Sequence, residues 1–299
     1  MKRVIVLLTI CLTAVSARAQ TDQQRAAAEA FRSRDWQRVA QLYSVIAAQD
    51  TTVPLPHLRM AIALTALGRY AEAKKEIAIA ERKGAPPFQT AAWTAVIESG
   101  AGRMDSAFAQ LDRATKNGMI LLPVPADSMA PAQKLKSDPR FAAVATNMDR
   151  NGRPCMYDDK FKEFDFWVGS WDVTPRSAPL NPPARSDITK SNEGCVVHEQ
   201  WHGLGNIGES YNIYDRTRQK WFQYWVDNFG GLHEYSGVYR DNAMRYEGTT
   251  PIGPGSPGRV QTRLTFFRIS ADTVRQFSEG LQADGTWAVN YDFIYVRRK

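Results

Sequence analysis

His198-Glu199-Gln200-Trp201-His202 is a run that reads, letter by letter, as a metal site with its own base. On a helix, H-E-x-x-H sets two imidazoles on one face to bind zinc while the glutamate activates water. Its surroundings oppose that use. Cys195-Val196-Val197 is strand-like, and Gly194 and Gly203 leave only eight residues between helix breakers. In an extended chain the two imidazoles stand about 13 Å apart, whereas two ligands at about 2.1 Å from one Zn²⁺ need nitrogens a few ångströms from each other. A strand also turns Glu199 to the face opposite both histidines. The zinc-peptidase reading is therefore rejected, and no metal site or cofactor is expected. No G-x-S-x-G or P-loop motif is present, and no dinucleotide fingerprint is expected.

The elements that position these residues follow from composition. Six of eight Trp, nine of eleven Tyr and nine of thirteen Phe lie beyond residue 150, with turn residues every eight to twelve positions. That pattern predicts about ten strands, the first spanning Phe164–Val173 and the last Thr286–Arg297. Connections as short as Asn192-Glu193-Gly194 and Asp241-Asn242 favour antiparallel neighbours. Meandering strands in that number close most economically into a barrel, which leaves few exposed edges.

Gly169-Ser170-Trp171 contains the G-x-W that opens the first strand of lipocalin-like barrels. Gly194-Cys195, Glu199-Gln200-Trp201, Gly208–Asp215, Trp221–Asp227, Asp284–Trp287 and Tyr295–Arg297 continue the likeness. Over most of 161–299 the chain resembles a widespread bacterial lipocalin-like family of unknown function. The resemblance implies structural roles for Gly169 and Trp171, with Arg297 or Arg298 packed over the tryptophan to close the barrel base. Some such barrels bind haem through one histidine, but none is assigned to His198, His202 or His233.

Side chains alternate in and out along a strand, and a barrel of about eight to ten strands has room for one small ligand. Parity places Glu199, Trp201, Ser210, Asn212, Gln223 and Trp225 inside, with His233 and Tyr235 near a mouth. Aromatic walls with few polar anchors suit a small-molecule pocket. The alternative is a filled core in which Gln and Asn satisfy one another. A second alternative uses Glu199, with a pKa raised by an aromatic cavity, as the acid/base of an isomerase or hydratase. The Pro-rich stretch 175–183 and the Pro/Gly-rich stretch 251–258 are long loops that could gate access.

The first half repeats every 34 residues. Asp35-Trp36, Arg69-Tyr70 and Arg103-Met104 align; so do Val39, Ala73 and Ala107, then Tyr43, Ile77 and Leu111, then Ile46, Ala80 and Ala114. Gly68 pairs with Gly102, and Gly84 with Gly118. Small residues recur where helices approach closely and larger ones at helical spacing. Residues 23–118 resemble three tetratricopeptide units, whose helix-turn-helix has that length. The resemblance implies a surface for a protein or peptide partner. A further cap of helix, started by Asp138-Pro139, completes a domain at 20–150, and 151–163 forms a linker to the barrel at 164–299.

Targeting and charge complete the outline. Met1-Lys2-Arg3, a short apolar run and Ala17-Arg18-Ala19 read as a signal peptide over 1–19, cleaved after Ala19, so a periplasmic or secreted location is expected. Removing it lowers the net charge from +7 to +4, with 35 basic residues against 31 acidic. The chain offers no concentrated basic face for nucleic acid and no later run of membrane-spanning length. Cys155 and Cys195 remain, in a compartment where a disulfide persists, but spacing alone leaves their pairing open. The sequence thus predicts an α + β two-domain protein: tetratricopeptide-like α-helical repeats, then an antiparallel lipocalin-like β-barrel. Its expected role is exported, non-catalytic binding, with a small apolar ligand in the barrel, no nucleic acid and no membrane insertion.

Overall fold

The computed structural model describes residues 22–123, 126–203, 205–253 and 256–299. The signal peptide expected over 1–19 lies outside the described residues. The chain divides between Gly152 and Arg153 into two compact units.

In the first unit, helix α1 (22–32) is followed by α2 (Trp36–Gln49), α3 (Leu55–Ala66), α4 (Tyr70–Arg82), α5 (Pro87–Gly100) and α6 (Met104–Lys116). Helices α2, α4 and α6 begin at Trp36, Tyr70 and Met104, the period read from the sequence. Between paired helices the chain must turn with a left-handed residue, and Gly68 (φ 75°) and Gly102 (φ 80°) supply it without a Cβ penalty. Arg34 occupies the equivalent place in the first repeat at φ 59°. Equivalent apolar positions are buried in all three repeats, from Val39, Ala73 and Ala107 to Ile46, Ala80 and Ala114. Helices α7 (Ala130–Ser137) and α8 (Phe141–Gly152) end the unit, and α8 runs two residues past the expected domain end at 150.

The second unit opens with the short helix α9 (Pro154–Tyr157), inside the span expected to be linker. Ten strands follow: β1 (Gly169–Pro175), β2 (Ala184–Ser191), β3 (Val196–Gly203), β4 (Asn206–Asp215), β5 (Lys220–Asp227), β6 (Leu232–Arg240), β7 (Ala243–Pro251), β8 (Arg259–Arg268), β9 (Thr273–Leu281) and β10 (Trp287–Arg297). Each pairs antiparallel with its sequence neighbour, and β1 closes the barrel on β10. Strands β1, β3, β5, β7 and β9 therefore all end at the same end of the barrel.

The first expected strand is corrected at its start. Asp165–Trp167 forms a 3₁₀ turn capped by Phe164, and only from Gly169 does the chain pair with β2. In a 3₁₀ turn residues three apart share a face. Phe164 and Trp167 accordingly stack at 4.9 Å and pack on Phe266, which fills this end of the barrel with aromatic rings. Trp171 Nε1 donates to Trp167 O at 2.8 Å, and the Arg297 guanidinium lies 4.2 Å from the Trp171 ring centroid. Arg297 Nη1 also donates to Val168 O at 2.9 Å, whereas Arg298 pairs with Asp187. Gly169 sits at φ 140°, which demands glycine, and a Cβ there would stand 2.1 Å from Arg297 Nη1 and displace the guanidinium from its place over Trp171. Cys155 and Cys195 form a disulfide with Cα atoms 5.0 Å apart, tying α9 to the entrance of β3.

Candidate functional site

A cavity of about 340 Å³ occupies the barrel away from the aromatic plug. It falls within the roughly 300–1,000 Å³ range of small-molecule sites. Antiparallel register explains its lining. Glu199 lies opposite Ser210, Ser210 opposite Trp225, and Trp225 opposite His233, which makes one row around the wall. Val197, Asn212, Gln223 and Tyr235 form the next. Of the residues placed inside by parity, Glu199, Trp201, Gln223, Trp225, His233 and Tyr235 line the cavity. Ser210 and Asn212 are fully buried and stand behind Glu199 as its support.

Glu199 is the centre of a hydroxyl network. Ser186 Oγ donates to Oε1 at 2.7 Å and Ser210 Oγ to Oε2 at 3.0 Å. The Tyr295 hydroxyl stands within donating reach of both Glu199 Oε1 at 3.4 Å and Gln276 Oε1 at 2.6 Å. Asn212 Nδ2 donates to Ser210 Oγ and to Val197 O, both at 3.1 Å, and Tyr246 Oη donates to Asn212 Oδ1 at 3.2 Å. Burial pushes the Glu199 pKa up to about 7, against the lowering pull of the Ser186, Ser210 and Tyr295 hydroxyls. Burial likewise raises Tyr235, Tyr246, Tyr291 and Tyr295, which stay neutral, and lowers His233 against the opposing field of Asp227.

At the mouth, Asp227 shapes the β5–β6 turn by accepting from the backbone N–H of Phe229 at 3.0 Å and Gly231 at 3.2 Å. Its other oxygen accepts from Trp225 Nε1 at 3.3 Å. Trp201 Nε1 donates to Asn206 Oδ1 at 2.9 Å, which orients the indole at the rim.

Parity within β3–β6 overlooked the far wall. Leu264, Gln276, Tyr291, Phe293 and Tyr295 line the cavity from β8, β9 and β10, and Ser186 reaches Glu199 from β2. A signal existed in the alternation Tyr291-x-Phe293-x-Tyr295. A register shift between Val289 and Tyr291 interrupts the parity of β10 before that run.

His198-Glu199-Gln200-Trp201-His202 lies wholly in β3, with Glu199 and Trp201 buried and the two histidines on the other face. His198 Nε2 pairs with Glu209 at 3.0 Å and its ring stacks on Tyr211 at 4.6 Å. Among the described residues no group of three or more His, Cys, Asp or Glu is placed to hold a metal ion, and no helix is long and apolar enough to cross a membrane. One motif went unread in the sequence. Gly203-Leu204-Gly205-Asn206-Ile207-Gly208 spells the glycine spacing of a dinucleotide loop. Gly203 ends β3 and Asn206 begins β4, so no helix follows to supply the N-terminal amides that such loops use on phosphate.

No known family model matches the chain, and no curated protein matches it.

Proposed function

We propose that this is a lipocalin-like binding protein whose barrel holds a small, mostly apolar molecule with one polar end at Glu199. The observation that supports this is a 340 Å³ cavity with aromatic walls and a single buried carboxyl held ready by hydroxyl donors. The helical repeats, tetratricopeptide-like in period, engage a protein or peptide partner, and the protein works after export. Residues 20–299 purified from an oxidising compartment and examined by native mass spectrometry test the binding role. A reproducible organic adduct that leaves on denaturation is expected, and its loss on filling the cavity with Gln223→Trp follows. A bare mass, together with no uptake of the neutral dye Nile red, contradicts it.

A second reading draws on the same carboxyl. Burial in the cavity wall pushes the Glu199 pKa up to about 7, which suits a general acid/base. Under that reading the bound molecule is converted by the wild type and merely bound by Glu199→Gln.

A further inference from the structure

The cavity has a charge character that narrows its occupant. Among its lining residues there is no lysine or arginine; the ionisable groups are Glu199, Asp227, His233, Tyr235, Tyr291 and Tyr295. The cation whose field reaches His233 and Tyr235 is Arg259. Its guanidinium is tied to Thr249 Oγ1 at 2.9 Å and Thr249 O at 2.7 Å, with Glu234 at 3.6 Å, and it does not line the cavity.

Donor directions add to this. Ser210 Oγ already accepts from Asn212, so its own proton points to Glu199, and Ser186 donates to the other oxygen. Two donors thus hold the carboxylate form, while the positive charge that would normally accompany a buried carboxylate is absent from the walls. Trp201, Trp225, Tyr235, Tyr291 and Phe293 line the same space, and aromatic rings attract cations through their quadrupoles. A carboxylate-bearing ligand, by contrast, would meet Glu199 with like charge and find no guanidinium or ammonium to answer it.

Building on the binding role proposed above, we propose that the occupant is a protonated amine on an apolar, ring-sized body, its ammonium set against Glu199. A fatty acid or other carboxylate is thereby disfavoured.

Three probes of one shape test this by calorimetry on the full chain at pH 8: tryptamine, 3-propylindole and indole-3-propionate. Tryptamine is expected to bind at least about tenfold tighter than 3-propylindole, with indole-3-propionate weakest. Glu199→Gln is expected to bring tryptamine level with 3-propylindole. A second readout needs no variant: protonating Glu199 at pH 5.5 lowers the wild-type affinity for tryptamine and leaves that for 3-propylindole unchanged. Equal or tighter binding of 3-propylindole or indole-3-propionate overturns the amine preference while the cavity reading stands. If none of the three binds and Nile red also fails to enter, the cavity reading falls and the amine proposal falls with it.

Discussion

Each unit of this molecule buries a glutamate, and the two are treated in opposite ways. Glu98 on α5, 1% exposed, meets Lys74 at 2.6 Å and Arg103. Burial pushes its pKa up, but the hydrogen bonds and charges of Arg103 and Lys74 outweigh that and hold it below the usual carboxylate range. Glu199 on β3, 2% exposed, has hydroxyl partners and no cation, and its pKa is pushed up to about 7. A carboxylate serving only the fold is neutralised where it stands. One left without a countercharge beside a cavity costs stability that packing elsewhere must offset, and such sites are where function concentrates.

The largest expected effect comes from making Glu98 resemble Glu199. Replacing Lys74 and Arg103 together by methionine leaves a buried carboxylate uncompensated and should cost about 3–5 kcal/mol in urea unfolding followed by helical circular dichroism. A loss under 1 kcal/mol would show that the two cations are solvated bystanders. Next in size is the staple that only the barrel has. The Cys155–Cys195 bridge spans 40 residues, so Cys155→Ser with Cys195→Ser should lower barrel stability by about 3–4 kcal/mol. Tryptophan fluorescence of the barrel should report that loss, while the helical transition stays where it was.

The third prediction concerns pH. Glu199 binds its proton more tightly in the folded state than at its ordinary value of 4.5. Its contribution to stability is therefore full below about pH 4.5 and is lost as pH rises to about 7, amounting to about 3 kcal/mol. Wild type should weaken relative to Glu199→Gln across that window, and parallel stability curves would remove the effect. Smallest is Arg34→Gly. It places glycine at φ 59°, as the two later repeats do, and should stabilise the helical unit by about 1 kcal/mol despite losing the Arg34–Ser128 hydrogen bond.

The helical repeats and the barrel were legible for different reasons. Gly68 and Gly102 mark turns that recur at the same interval, and the apolar positions between them repeat in register, so local geometry carried the first unit. In the barrel, parity sufficed for β3 to β6, because hairpin neighbours fix each other's faces. It could not show that Tyr295 meets Glu199 across the closure, 96 residues away in sequence. Nor could alternation foresee the 3₁₀ turn at Asp165–Trp167, where Trp167 and the capping Phe164 are buried by tertiary packing on Phe266 and not by a strand face. The Glu199 network lay beyond reach for the same reason. Ser186 comes from the hairpin neighbour β2, but Gln276 and Tyr295 come from β9 and β10, whose register against β3 only barrel closure sets.

Glu199 is an ionisable carboxyl lining a cavity that has no lysine or arginine among its described lining residues. The most direct test is a ¹³C NMR titration of glutamate side-chain carboxyls in wild type and Glu199→Gln, without and with tryptamine. One carbon should titrate near pH 7, vanish in the variant and move to a lower midpoint when tryptamine is added. If every glutamate titrates in the ordinary range near 4.5 and none responds to the amine, the central claim is wrong.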